Sequence, residues 1–458
     1  MRLWMKILLV AGMTLAILVP LTMIRGVIQE RQAYRVQAVQ EVARSYAGTQ
    51  AFSGPVLVVP YTDTVWVEEK DEGGVPRRVE RERTGRWLFF PETLEVGGPM
   101  RPDTRRLGLH EVRVYEWDGV AKARFRATIP GTDPDVRRRI GRPWLDYGFA
   151  DVRGLLEPPV LQVDGRTLEV EDGLGGDGGN GVHARLPVPT AGSTLALDTR
   201  LAFTLGGTES LSLVPLGKQN SFVVASTWPH PRFSGSFLPR TRDIGASGFD
   251  ARWQVASVAT NAQRQYREGR RLPGSVGAGS DADLDGTRGR GPLDAVEVAL
   301  VEPVNVYSQA DRASKYGLLF VLLTFVGFFI FELVKHLRIH PIQYGLVGLA
   351  LAIFFLLLVS LSEHIDFAWA YLVASVACIG LIGFYLVAVL QSALRGWGFA
   401  AMLATLYAAL YGLLVSEDNA LVLGAGLLFV ILAGLMAITR KVDWYQLAGG
   451  SVPPLPRA

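Results

Sequence analysis

Tyr316-Gly-Leu-Leu-Phe-Val-Leu-Leu-Thr-Phe-Val-Gly-Phe-Phe-Ile-Phe-Glu-Leu-Val334 runs for 19 residues with one charge, Glu332. A helix rises 1.5 Å per residue, so this stretch is about long enough to cross ~30 Å of hydrocarbon. Four similar segments follow it: Gly345–Leu361, Phe367–Leu390, Trp397–Val415 and Ala420–Thr439. One precedes it, Ile7–Ile24, across an interval of roughly 290 polar residues. The pattern predicts a membrane protein with six transmembrane helices and one large water-soluble insertion.

The short loops predict which side holds the insertion, because Lys and Arg near span ends mark the cytoplasmic face. Arg2 and Lys6 precede the first span, Lys335 and Arg338 follow the second, Arg395 follows the fourth, and Arg440-Lys441 follows the sixth. The alternate loops, Ser362–Asp366 and Ser416–Asn419, carry acids and no Lys or Arg. Every short loop fits both termini inside and residues 25–315 outside. After the first segment, Pro20-Leu-Thr-Met-Ile-Arg25-Gly-Val-Ile lacks a small-x-small cleavage site, so a retained anchor is expected rather than a signal peptide. Val36, Val39, Ala43 and Tyr46 then recur at helical spacing, with Gly48 placed to end the helix as a C′ glycine.

The insertion reads as β. Ala123, Phe125, Ala127 and Ile129 alternate with Lys122, Arg124, Arg126 and Thr128, as a half-buried strand requires. Leu195, Leu197, Leu201, Phe203 and Leu205 do much the same, and Val160–Val170 predicts a hairpin around Asp164-Gly165. Pro55–Tyr61, the stretch around Val112 and Val114, Phe222–Ser226 and Val296–Val306 are further strand candidates. Twenty of the 25 prolines fall in residues 25–315, which suits short strands and turns. Glu171–Gly181 and Gly274–Pro292 are glycine-rich with little to bury, and are expected to be mobile loops.

The expected fold class is thus an α+β membrane protein. It has an N-terminal transmembrane helix (1–24), a juxtamembrane helix (25–48) and a large, mainly antiparallel, sandwich-like β domain outside the cytoplasm (49–315). A bundle of five transmembrane helices (316–441) and a cytoplasmic tail (442–458) complete it. Gly345, Gly348 and Ala352 in the third span, and Gly424, Ala425, Gly426, Ala433 and Gly434 in the sixth, suit close helix packing.

Residues 25–315 hold 38 Lys and Arg against 37 Asp and Glu, which offers no broad basic field for nucleic acid. The single cysteine, Cys378, lies in the fourth span and reads as a small core residue. The external domain therefore has no disulfide, and at its size it can bury enough surface without one.

Several blocks together resemble one family. They are Leu18–Arg31, Ser53-Gly-Pro55-Val-Leu-Val-Val-Pro60, Ser226-Thr-Trp228-Pro-His230-Pro231 and Gly235-Ser-Phe-Leu-Pro239. Asp311-Arg312-Ala-Ser-Lys315-Tyr316, Phe331-Glu332, His340-Pro341-Ile-Gln343-Tyr344, Ser362-Glu363-His364 and Val442-Asp443-Trp444-Tyr445 continue them. In order, and over nearly the whole chain, they resemble the CreD family of inner-membrane cell envelope integrity proteins of Gram-negative bacteria. The resemblance implies a multi-pass protein of the bacterial inner membrane with a periplasmic domain, a role in envelope integrity and a response to cell-wall stress. It carries over no catalytic residue.

The residues give weak chemical leads. Glu332 is an ionisable group at membrane depth, a place where such groups are often functional. The simpler reading is a snorkelling carboxylate one turn from Lys335 and His336. Glu363, His364 and Asp366 form a short cluster suited to a metal or a proton relay, and equally to a charged interfacial turn; further ligands at metal spacing are not evident. Trp228-Pro-His230-Pro231 holds His230 extended beside a large aromatic, which reads first as a rigid strand edge and second as a ligand site. No catalytic motif, cofactor signature or metal set is assigned. The expected partners are the lipid bilayer and an envelope protein or cell-wall component. The alternative is a transporter or membrane enzyme using the bundle.

Overall fold

Residues 3–440 are described by the computed structural model, except 71–75, 132–136, 177, 275–290, 303–305, 335–339 and 417–419. They divide into two compact units, one of residues 36–303 and one of residues 1–35 with 304–458.

The first unit is β, in two sheets. In one sheet the order is β14 (Pro231–Gly235), β17 (Val296–Leu300), β12 (Ser210–Leu213), β1 (Gln50–Lys70), β6 (Trp144–Phe149), β10 (Gly181–Arg185) and β9 (Glu171–Asp172). Strands β2 (Pro76–Phe89) and β5 (Arg137–Ile140) also pair with β1. The other sheet runs β15 (Thr241–Gly245), β16 (Gly248–Ala256), β13 (Gln219–Ser226), β3 (Thr93–Leu107), β4 (His110–Thr128), β11 (Thr194–Thr208), β7 (Val160–Val163) and β8 (Arg166–Leu168).

Burial follows the period of two. In β4 Ala121, Ala123, Phe125 and Ala127 are buried while Lys122, Arg124, Arg126 and Thr128 are exposed. Aromatic rings from both sheets meet in one core. Phe203 of β11 stacks on Phe52 of β1 at 5.2 Å and meets Phe149 of β6 edge-on at 5.2 Å and Trp117 of β4 at 5.4 Å. Gly119 pairs directly with Phe203 across β4 and β11, and a Cβ there would lie 2.5 Å from the ring. Glycine is what lets the ring fold over the strand. The two layers are a sandwich.

Several expectations meet corrections. The pairing is mainly antiparallel, but β1–β12 and β3–β13 are parallel, so the sheets are mixed. The candidates around Val112–Val114 and Ala123–Ala127 belong to one 19-residue strand that ends one residue before Ile129, and β1 has 21 residues, so proline did not keep the strands short. Strand β17 stops at Leu300, and Val306 opens a helix. The Asp164-Gly165 turn forms with positive φ at both residues (49° and 76°), joining β7 to β8. Within Glu171–Gly181 the described residues are partly ordered into sheet: Glu171–Asp172 form β9, Gly181 opens β10, and a Cβ at the half-buried Gly175 would stand 2.4 Å from the Trp144 ring, while Gly178–Asn180 are exposed. Most of Gly274–Pro292 lies outside the described residues.

Helix α1 (Leu3–Ser45) is continuous through Pro20 and ends three residues before Gly48. Gly48 does not adopt positive φ, and its N–H donates to the Asp151 carboxylate at 3.3 Å. The last turns of α1 place Ala38 and Val42 on Val112 and Val114 of β4.

The second unit is helical: α3 (Val306–Val334), α4 (Pro341–Ser362), α5 (Phe367–Val389), α6 (Ala393–Val415) and α7 (Ala420–Thr439), with a short α2 (Ala262–Arg267) belonging to the β unit. Among the described residues α1, α3, α4, α5 and α6 are long and apolar enough to cross a bilayer. In α7 the corresponding apolar stretch is Val422–Gly434. Ile17, Leu21, Ile24 and Ile28 of α1 join Phe325, Phe328, Phe354, Phe355 and Tyr407 in one core. Gly348 permits it, since a Cβ would stand 2.7 Å from Phe325 and 2.8 Å from Ile17. In the sixth span a Cβ at Gly424 would meet Leu413 of α6 at 3.7 Å, whereas Gly426 and Gly434 have nothing within 4 Å among the described residues. Leu381, Phe384, Phe429 and Val430 point outward at 60–77% exposure, which water would penalise and lipid tails would not.

Candidate functional site

The five residues singled out from sequence fall into three separate places. Glu332, near the end of α3, is buried at 4% exposure, not snorkelling. Its Oε2 accepts a hydrogen bond from the Tyr344 hydroxyl at 2.8 Å, from one turn inside α4. His340 caps α4 ahead of Pro341: its ring accepts from the Ile342 N–H, and Gln343 Oε1 accepts from the His340 N–H. This box fixes where α4 begins and hence where Tyr344 stands. Lys335 and His336 lie outside the described residues.

Glu363 and His364 sit at the end of α4 and do not converge. The Glu363 side chain is buried and pairs with Arg31 of α1 at 3.4 Å. His364 is exposed, its Nδ1 3.2 Å from the Ser360 carbonyl of the preceding turn. Asp366 precedes α5 without a side-chain cap bond. Among the described residues no group of three His, Cys, Asp or Glu is placed to hold a metal. The arrangement is that of a charged helix-to-helix turn in which one carboxylate ties α4 to α1.

Trp228 and His230 lie where β13 hands over to β14. The Trp228 indole N–H donates to the His230 carbonyl at 3.1 Å and to the Val301 carbonyl at 3.0 Å, and its ring packs on the β core. The Arg113 guanidinium lies 5.3 Å from the ring centroid and pairs with Glu302 at 2.7 Å. Arg113 is 5% exposed, so this cation–π contact is made largely out of water and is stronger for it. Trp228 therefore closes a corner, and His230 is an exposed side chain beside it.

A further polar cluster has no counterpart among the sequence candidates. Asp146 of β6 is 6% exposed within a strand that is buried throughout. Burial pushes its carboxyl above the usual range; the Gly175 N–H at 2.8 Å and the Trp144 indole N–H at 3.0 Å only partly offset this. His183, opposite it on β10, is 6% exposed; its Nδ1 lies 2.9 Å from the Gly173 carbonyl and its Nε2 3.4 Å from Glu171. In sequence, Trp144-Leu-Asp-Tyr-Gly-Phe149 and Gly181-Val-His-Ala-Arg185 sit some 35 positions apart with no shared period. Only the β6–β10 pairing brings the two groups together. The glycine-rich spacing was the one visible trace, because Gly175 must approach Trp144 to reach Asp146.

A family model described as "Inner membrane protein CreD" matches residues 2–445. The Inner membrane protein CreD of Escherichia coli (strain K12) is 36% identical over 436 residues, 95% of this chain and 92% of that protein. Among solved structures, the crystal structure of an M1 zinc metallopeptidase from Deinococcus radiodurans aligns with 46% of this chain and 42% of its own at 10% identity. Its TM-score is 0.19, too slight a likeness to carry an argument.

Proposed function

The chain belongs to the CreD family of inner membrane proteins, and from that premise we propose that it supports cell envelope integrity under cell-wall stress by binding, not by turnover. On this reading residues 36–303 face the periplasm and both termini lie in the cytoplasm, as the loop charges favour. The β unit engages an envelope protein or wall component, and the apolar helices hold it at the membrane.

One observation carries the reading. The β unit is a two-sheet sandwich joined at both ends of its chain to apolar helices, which confines its targets to the neighbourhood of the bilayer. The helices support it by how they use their polar groups. Thr324 donates to the Phe320 carbonyl at 2.9 Å, Tyr371 to the Tyr407 carbonyl at 2.7 Å, and Tyr344 to Glu332. The Thr324 bond stays within α3, and the two tyrosine bonds tie α5 to α6 and α4 to α3.

A second reading rests on Glu332, a buried carboxylate in a span, which a proton-coupled transporter or intramembrane enzyme would use. Complementation of a deletion strain under a wall-targeting antibiotic separates the two. Glu332→Gln keeps the Tyr344 bond and is expected to restore survival. Loss of rescue with the protein at normal level favours the bundle as the seat of activity.

A further inference from the structure

Four residues, Tyr46-Ala-Gly-Thr49, connect α1 to β1, and they do not form an exposed linker. Connecting segments run over the surface as a rule, yet Ala47 is 0% exposed and Gln50, which opens β1, is 1% exposed. Thr208, the last residue of β11, clamps two successive residues. Its hydroxyl donates to the Ala47 carbonyl at 2.6 Å and its N–H to the Gly48 carbonyl at 3.0 Å. The helix end is held as well. Arg153, in the turn Val152–Gly154, donates from Nη1 to the Arg44 carbonyl at 2.7 Å, one of the carbonyls that a helix terminus leaves unbonded. Asp151 grips that guanidinium with both oxygens, 2.9 Å from Nε and 2.6 Å from Nη2, and also accepts from the Gly48 N–H.

Gln50 ties the far side. Its Nε2 donates to the Asp151 carbonyl at 2.9 Å and the Gly206 carbonyl at 3.1 Å, and its Oε1 accepts from the Asp151 N–H at 3.2 Å. Three glycines clear the ground for these groups. A Cβ at Gly206 would stand 2.9 Å from the Tyr46 hydroxyl, one at Gly207 would stand 2.8 Å from the Gln50 side chain, and one at Gly154 would collide with the Gln50 amide. On the other flank Ala38 and Val42 pack on Val112 and Val114 of β4. Side chains from three parts of the β unit thus converge on one short stretch of backbone.

We propose that this joint is locked: the last two turns of α1 and the sandwich move as one rigid body, and α1 serves as a lever, not a tether. Helix α1 runs unbroken from Leu3 to Ser45, and rigid secondary elements carry displacement from one site to another. A target that pulls on the β unit then tilts the helix that enters the membrane, where a flexible connection would absorb the motion. The proposal goes beyond the binding role given above and holds whatever the β unit binds.

The test is pulsed electron spin resonance on the full chain in neutral detergent, with spin labels at Val36→Cys on α1 and Val258→Cys on the β unit, both exposed (58% and 95%), in a Cys378→Ala background. One narrow distance distribution is expected, and a Gly-Gly-Ser insertion between Ala47 and Gly48 is expected to broaden it. A broad distribution without the insertion, or an equal width with it, overturns the lock. Arg153→Ala provides a second variant should the insertion unfold the β unit. Loss of its bond to the Arg44 carbonyl is expected to speed hydrogen exchange at the Tyr46 amide about tenfold, as removal of one charged donor would. Unchanged exchange there overturns the part given to Arg153. In the deletion strain the insertion, with protein level and melting temperature kept, is expected to lose rescue under a wall-targeting antibiotic; full rescue overturns the lever. Any of these failures leaves the binding reading standing, because that is judged by Glu332→Gln in the same survival assay.

Discussion

Phe203→Ala is the sharpest probe of the sandwich. The ring is 6% exposed and touches Phe52, Phe149 and Trp117 with centroids at 5.2–5.4 Å, joining both sheets. Truncating a core Phe costs about 3–5 kcal/mol, from lost transfer energy and the cavity left behind. The three ring pairs are worth roughly 0.5–1.5 kcal/mol each, but they vanish together and belong partly to that figure. A loss of about 4 kcal/mol follows, a large share of the roughly 5–15 kcal/mol that holds a domain together. In a unit of this size about 2–4 °C of melting temperature go with each kcal/mol, so a drop of about 8–16 °C is expected. The assay is thermal unfolding of the full chain in detergent, followed by near-ultraviolet circular dichroism. Phe384→Ala, on the outward face of α5 at 77% exposure, is the control and should move the transition little. A shift below about 3 °C for Phe203→Ala would mean that the sheets are not packed through this ring.

Two further outcomes follow. Arg138 hydrogen-bonds Asp63 through two nitrogens at 2.6 and 2.7 Å, which holds the Asp63 carboxyl below its usual range. A depressed acid stabilises the fold above its unfolded value, near pH 4, and that contribution is lost as pH falls through the folded value. Melting temperature should therefore fall from pH 5 to pH 3, less steeply in Asp63→Asn; equal slopes would remove Asp63 from the account. Asp151 and Asp294 are lowered too, so the slope should flatten only in part. For sidedness, reporter fusions at Gly286 should read as external and those at Arg395 and Arg457 as cytoplasmic; a cytoplasmic signal at Gly286 would reverse the topology.

What the sequence shows and hides here has physical reasons. Spans are legible because a bilayer demands some 20 apolar residues in a row, and nothing soluble imitates that. β4 and β11 are legible because one face is buried and the other wet, so alternation survives. β2 (Pro76–Phe89) escapes because Arg-Arg-Val-Glu-Arg-Glu-Arg alternates charge sign, not hydropathy. What holds it is fourteen residues of pairing with β1, with Glu68 opposite Arg78. β3 escapes for a similar reason, with a charged outer half, and its parallel partner β13 lies more than a hundred residues away. Glu332 shows the limit for sites. An i,i+3 or i,i+4 reading sees Lys335 and His336, which lie outside the described residues, and misses Tyr344, a hydrogen-bond donor to Glu332 twelve residues on in the next helix. Trp228 was legible as an anchor, and the structure places its bonds on backbone carbonyls. Asp146 with His183 was not, since strand pairing alone makes them neighbours.

The central claim is that the β unit acts and the bundle anchors. It is tested most directly by replacing α3–α7 with an unrelated single-span anchor behind residues 1–305 and measuring survival of the deletion strain under a wall-targeting antibiotic. The account predicts rescue close to that of the full chain. A fusion that is present at normal level and protease-resistant outside the cytoplasm, yet gives no rescue, would contradict it and move the activity into the helices.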